Sequence, residues 1–166
     1  MIQDQLENMI RELSGKSTSA KQKLIALSGS RNLQDPRMRT VYPLIYRYLY
    51  DEQVGSAIPS KAEIAVFNCL KYYAKAILKG GQQTNGVSFF RALGKNRNLE
   101  TDDHLNSLLK ATNCQYIFQE IERLFMLSNV KNVDYAELSK DLYFMQFNYE
   151  RTRQTQNKWA SEYYRK

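Results

Sequence analysis

The chain has one histidine, His104, and two cysteines, Cys69 and Cys114. A histidine-based metal site or a Ser–His relay would depend on that single imidazole. Two cysteines so far apart make neither a zinc site nor a disulfide framework. Both lie in apolar contexts and read as reduced, buried, inert thiols. Three prolines and seven glycines among 166 residues are too few for a disordered chain. No run approaches the ~18 apolar residues of a membrane span. The opening MIQDQLENMIREL is amphipathic and acidic, unlike a signal peptide. These absences predict a cytoplasmic protein with no membrane association, no metal and no cofactor. Negative charge is also locally scarce: no Asp or Glu stands between Glu63 and Glu100.

What is present is an apolar, basic chain. It is 43% hydrophobic and 25% charged, with 24 Lys and Arg against 17 Asp and Glu, a formal net charge of +7 and a pI near 9.4. The length suffices for a core without staples, in one domain or two small ones. The charge favours polyanionic partners, nucleic acid first and an anionic membrane surface second.

Apolar residues recur mostly at three and four, which predicts an all-α protein of two packed helical bundles and about eight helices. Ile2, Leu6, Met9, Ile10 and Leu13 trace the first helix, and Ser17, Thr18 and Ser19 offer caps for a second ending near Leu27. LQDPRMR reads as a loop. Val41, Leu44, Ile45, Tyr48 and Leu49 face a third helix, and DEQVGSAIP is the best candidate for a boundary. Ser60 and Glu63 form a capping-box pattern ahead of a long helix to about Leu78, closed by Gly80 and Gly81. GGQQTNG reads as a loop. Further helices are expected from Ser88, from Thr101 or Asp102, after Asn113, from Asp134, and through Trp159 to Tyr164, the last either a helix of its own or a continuation of its predecessor. No strand-like alternation is convincing. Residues 1–80 form the expected N-terminal bundle and 81–166 the C-terminal one, unless the two make one continuous compact unit.

The chemistry lies in the cations. On the long helix Val66, Cys69, Leu70, Tyr73 and Ile77 share one face, and Lys71, Lys75 and Lys79 line the opposite one. No carboxylate three or four residues away pairs with these lysines, so a phosphate backbone is an attractive counter-charge. The stretch GVSFFRALGKNR adds a glycine turn, a capping Ser88, and Arg91, Lys95 and Arg97. It is no phosphate-binding loop, because the terminal Lys-Ser/Thr is absent. Other basic groups are Lys21, Lys23, Arg31, Arg37, Arg39 and Arg47, and Arg151, Arg153, Lys158, Arg165 and Lys166. Arginine suits phosphate oxygens through its planar fork, and such contacts are sequence-blind. The twelve tyrosines, with Tyr42, Tyr46, Tyr48 and Tyr50 around Arg47 and Tyr72 and Tyr73 beside the lysine stripe, could stack bases. Tyrosines at helical spacing more often pack a core. Asp102, Asp103 and His104 could hold a divalent ion, but acids in a first helical turn fit capping better. Glu120 and Glu122 read as surface charge.

The succession GVSFFRAL, HLNSLLKAT, IFQEIERLF, VDYAELSKDLYF and KWASEYY, from Gly86 to Tyr164, resembles the CasB-type small subunit of the type I-E CRISPR surveillance complex, Cascade. The resemblance implies two helical bundles, no enzymatic activity, and a homodimer lying along the complex against other Cascade subunits. It implies a role in stabilising the R-loop, through backbone contacts to guide RNA and target DNA. By position it carries over Lys61, Lys110, Arg123, Arg151 and Arg153 as nucleic-acid contacts, with Arg91 in the matched motif. Lys71, Lys75 and Lys79 join them from the helix argument alone. Trp159 is expected in the core. Phe90 stands where that family usually has a small residue, and Asp102, Asp103 and His104 stand where more arginine is usual. Alternatives are a free-standing helical nucleic-acid-binding protein, a helical protein–protein adaptor and, more remotely, a metal-dependent nuclease.

Overall fold

A computed structural model describes residues 2–49 and 58–165. Most of the expected boundary DEQVGSAIP, together with Tyr50 and Lys166, lies outside the described residues. The described residues form nine α-helices, a 3₁₀ turn and a two-residue parallel ladder, so the protein is all-α. In chain order the elements are α1 (Ile2–Leu13), α2 (Thr18–Gly29), the 3₁₀ turn (Pro36–Thr40), α3 (Tyr42–Tyr48), α4 (Lys61–Ile77), β1 (Gln82–Gln83), α5 (Phe89–Lys95), α6 (Leu99–Lys110), α7 (Cys114–Leu127), β2 (Asn132–Val133), α8 (Tyr135–Met145) and α9 (Tyr149–Tyr164). No helix among them is long and apolar enough to cross a membrane.

Caps set most of the boundaries. Ser17 opens α2, the Ser60–Glu63 capping box opens α4, and Ser88 opens α5. Asn113 and Asp134 open α7 and α8. Each side-chain oxygen takes an N–H that the first turn would otherwise leave unpaired. α6 starts at Leu99, earlier than expected, because Asn98 and Thr101 form a capping box of their own. α9 is a separate helix: Asn148 accepts the Arg151 N–H at 2.8 Å and restarts the chain. Gly80, at φ +87°, ends α4, and the Gly81 N–H returns to the Ala76 carbonyl at 2.8 Å.

Two expected loops hold regular structure. Within LQDPRMR, Asp35 accepts the Arg37 N–H at 3.0 Å and Pro36 fixes φ, which winds Pro36–Thr40 into a 3₁₀ turn. Within GGQQTNG, Gln82 and Gln83 pair in parallel with Asn132 and Val133. Asp134 ties this loop down, accepting from the Gly86 N–H at 2.9 Å and from Gln83 Nε2 at 2.7 Å.

One cluster of buried apolar side chains runs from Ile2 to Tyr163. α4 lies at its centre, packed against α1, α2, α7 and α8. It is therefore buried nearly all round, Tyr72 and Tyr73 included, and not two-faced as its apolar spacing suggested. Tyr72 donates to the Phe118 carbonyl at 2.6 Å, so neither ring is open to a base. α5 lies on α9, where Phe90 stacks on Trp159 with ring centroids 4.6 Å apart. The Trp159 indole N–H donates to Asp141 at 3.0 Å, which satisfies its one polar atom within the core. Of the thiols, Cys69 is buried as expected, but Cys114 is half-exposed.

Candidate nucleic-acid interface

The lysine stripe of α4 is not uncompensated. Glu122, from α7, lies 3.3 Å from Lys71 Nζ and 2.7 Å from Lys75 Nζ. Lys71 is itself buried. Burial pushes the Glu122 carboxyl up, but the Lys75 hydrogen bond and the charges of Lys71 and Lys75 outweigh it and hold it below its ordinary value. The expected phosphate counter-charge for these two lysines is thus replaced by an internal carboxylate, and Glu122 is half-buried, not a surface charge. Lys79, at the exposed end of the helix, has no ion-pair partner among the described residues. Its carbonyl accepts from Lys131 Nζ at 2.9 Å, which places a second cation at the negative end of α4.

Arg123 bonds Glu120 at 2.6 Å, and Glu120 also meets His104 Nδ1 at 2.9 Å. Glu120 is 1% exposed, so it is a core group that needs both partners and not the surface charge expected from sequence. Near His104 on α6, Asp102 bonds Arg97 at 3.1 Å and also accepts from the Tyr163 hydroxyl. Among the described residues no three His, Cys, Asp or Glu side chains gather as metal ligands would.

Arg153 is committed to a helix end. Its Nη1 donates at 2.8 Å to both the Leu109 carbonyl and Gln156 Oε1. Gln156 Nε2 then reaches the carbonyls of Leu108 and Ala111 at 2.9 and 2.7 Å. The last turn of α6 is closed in this way by α9. Lys110, next in the chain, points to solvent. Lys61 and Arg151 share another surface, with their cationic ends 5.3 and 5.1 Å from the Phe147 ring centre.

Arg91 falls in a group that sequence spacing alone did not assemble. Arg91 and Lys95, one turn apart on α5, join Arg97, Tyr163, Tyr164 and Arg165 around a groove of about 640 Å³. Among the described residues no carboxylate lines it. Gly94 makes the group possible: a Cβ at this position would sit 2.1 Å from the Tyr163 carbonyl oxygen, so α5 and α9 approach backbone to backbone. Arg97 is held by Asp102, with its guanidinium 4.8 Å from the Tyr164 ring centre. The Tyr163 and Arg97 hydrogen bonds keep the Asp102 carboxyl below its ordinary value against partial burial. Burial, with the Asp102 bond, pushes the Tyr163 hydroxyl up to about 12. Arg91, Lys95 and Arg165 form no ion pair among the described residues. Tyr164 remains 41% exposed beside them. Three cations without an ion pair among the described residues fit the oxygens of a phosphate chain. The available signal was a glycine inside a helix between two cations, which marks a close backbone approach.

The earlier basic group is partly spent within the fold. Arg37 bonds Asp35 and Arg47 bonds Glu12, at 3.0 and 3.1 Å. The Arg37 side chain, then the Arg37 and Arg31 N–H groups, hold the Asp35 carboxyl well below its ordinary range. Tyr42 and Tyr46 stack on one another with centroids 5.6 Å apart.

The family model described as CRISPR-associated protein Cse2 matches residues 9–164. Three solved structures share the fold. A CRISPR-associated protein of the Cse2 family from Thermus thermophilus is 23% identical, with a TM-score of 0.75 over 98% of this chain and 97% of the other. A structure of CasB, also from Thermus thermophilus, is 25% identical, with a TM-score of 0.69 over 98% and 95%. CasB from Thermobifida fusca is 14% identical, with a TM-score of 0.71 over 98% and 95%. No curated protein matches the chain.

Proposed function

The chain belongs to the CRISPR-associated Cse2 family, and from that premise we propose that it is a non-catalytic small subunit of a Cascade surveillance complex. In this reading it acts in the cytoplasm and stabilises the R-loop, the guide RNA–target DNA duplex and its displaced strand, through a basic, sequence-independent surface. Two copies lie together along the other subunits, so that their cations add to one track. The observation that carries the reading is the α5–α9 groove, where Arg91, Lys95 and Arg165 meet with no carboxylate among the described lining residues. Lys79 and Lys110 are further exposed cations for the same track. R-loop formation is nearly balanced in base pairing, so modest backbone contacts decide its lifetime. Cations that contact phosphates without reading bases suit a subunit that must accept every target.

The test is reconstitution with the remaining subunits and guide. R-loop lifetime on target duplex is measured with and without the protein at two salt concentrations. The protein lengthens the lifetime, and salt erodes the gain. Replacing Arg91, Lys95 and Arg165 together by alanine shortens the lifetime several-fold. In single-strand binding it lowers the slope of log affinity against log salt by about 2, at ~0.7 for each phosphate no longer neutralised. An incorporated protein that leaves the lifetime unchanged sinks the R-loop role. A slope unmoved by the triple replacement removes the groove from it.

A further inference from the structure

A second groove, of about 600 Å³, opens between α1, the first turn of α4, α8 and α9. Ile2, Ala62 and the rings of Tyr143, Phe144 and Phe147 give it an apolar lining. Phe144 and Phe147 are 37% and 44% exposed, two aromatic side chains three residues apart and both open to solvent. Each ring already has a cation over it. The Arg151 guanidinium lies 4.8 Å from the Phe144 ring centre and 5.1 Å from that of Phe147, and Lys61 Nζ lies 5.3 Å from the latter. Lys140 and Lys158 complete the rim. Lys61, Lys140 and Arg151 form no ion pair among the described residues. The one acid among the described lining residues, Asp141, is already bonded to Lys158 and to the Trp159 indole.

We propose that this groove docks a protein segment bearing an apolar side chain flanked by carboxylates. A lone nucleic-acid strand fits it less well. Bases stack on aromatic faces, and here each ring already has a cation over it, leaving ring edges and an aliphatic recess that a leucine or phenylalanine side chain fills. Lys61 and Arg151 then meet carboxylates while keeping their ring contacts, as desolvated cation–π pairs favour. Aromatic anchors at the centre and charges at the rim are the ordinary anatomy of a protein–protein contact. Lys61 and Arg151, assigned by resemblance to nucleic acid, become partner-protein contacts, whereas the α5–α9 groove keeps the phosphate role.

Two measurements test this, and the first is independent of the Cascade reading. A fluorescent helical peptide with two leucines four apart and glutamates flanking them is titrated against the isolated chain, beside its glutamine twin and its lysine twin. The glutamate peptide binds at least tenfold more tightly than the glutamine twin, and Phe147→Ala abolishes binding. Arg151→Glu reverses the preference towards the lysine twin. A carboxylate is compatible with the first turn of α9, so this variant folds. Equal binding of the three peptides, no binding, or displacement of the peptide by oligothymidylate overturns the proposal. In the second, which rests on the Cascade reading for its partners, benzoylphenylalanine replaces Phe147 in the assembled complex. Cross-linking to a segment of another subunit with an acid beside an apolar residue supports the proposal. Cross-linking to nucleic acid, to a second copy, or to nothing within a complex that contains the protein overturns it.

Discussion

Gly94 and Glu162 put opposite demands on the contact between α5 and α9. At Gly94 the two backbones approach so closely that any side chain must part them, since the first added carbon would meet the Tyr163 carbonyl at 2.1 Å. Gly94→Ala has no flexible neighbour to displace and should cost about 3 kcal/mol, the upper end for overpacking. In a chain of this size that lowers the melting temperature by roughly 6–12 °C. A calorimetric shift under one degree would mean that the helices do not meet as described. Glu162 is a cost in the other sense. Burial raises its pKa, and the Ser88 hydroxyl and the Lys158 charge reduce the rise without cancelling it. An acid whose folded pKa exceeds its unfolded value of about 4.3 contributes stability below that pH and loses it as pH rises through the folded value. Glu162→Gln keeps a hydrogen-bond acceptor for Ser88 and removes the half-buried charge. It therefore raises the melting temperature at pH 7, with the advantage vanishing below about pH 4. Equal gains at both pH values would show that charge is not the cause.

Among the elements, the α6–α9 contact separates cations that build the fold from cations available to a partner. Arg153 and Gln156 jointly satisfy the carbonyls of Leu108, Leu109 and Ala111. Arg153→Ala frees one half-buried carbonyl and the Gln156 oxygen, a loss of about 1–2 kcal/mol. It should appear as a lower denaturation midpoint. Lys110→Ala, one residue beyond Leu109 and exposed, should leave the midpoint in place and act only on nucleic-acid affinity. A matched fall in both variants would undo the distinction. The sequence made the helices themselves legible because their signals are local: Ser60 with Glu63, Asn113 before Cys114, and Asp134 before Glu137 each sit within one turn of what they cap. The pairing of Gln82–Gln83 with Asn132–Val133 was not legible, since two residues carry no period and the partner lies far along the chain. The same limit hid Glu122 from Lys71 and Lys75. A search for partners at three and four residues sees one helix at a time, and α7 supplies the carboxylate. It also hid the α5–α9 groove, whose cations stand at 91–97 and at 165.

Across the whole molecule, the question is whether 1–80 and 81–166 behave as two bundles or as one body. α8 belongs to the second stretch, yet it packs on both α1 and α4 of the first. Its Leu138, Leu142 and Met145 are buried with Leu6, Met9 and Val66 in one continuous core. Separating the halves would expose that shared surface on both, and each half alone would bury a smaller fraction of its own chain. Cooperative unfolding is therefore expected, with two built-in probes to test it. Trp159, the sole tryptophan, reports on the C-terminal stretch by fluorescence. Cys69 in α4 reports on the N-terminal one: it is buried, and burial holds its thiol well above the ordinary range, so it reacts with a disulfide reagent only once the core opens. In a Cys114→Ser background, which removes the half-exposed thiol, urea titrations followed by fluorescence and by thiol reactivity should share one midpoint and one slope, as a two-state transition requires. An earlier midpoint for Cys69 would mean that the N-terminal helices open while Trp159 stays buried. The α8 contacts with α1 and α4 would then join two separable bundles, and the α5–α9 groove, built wholly within 91–165, would survive on the C-terminal one alone.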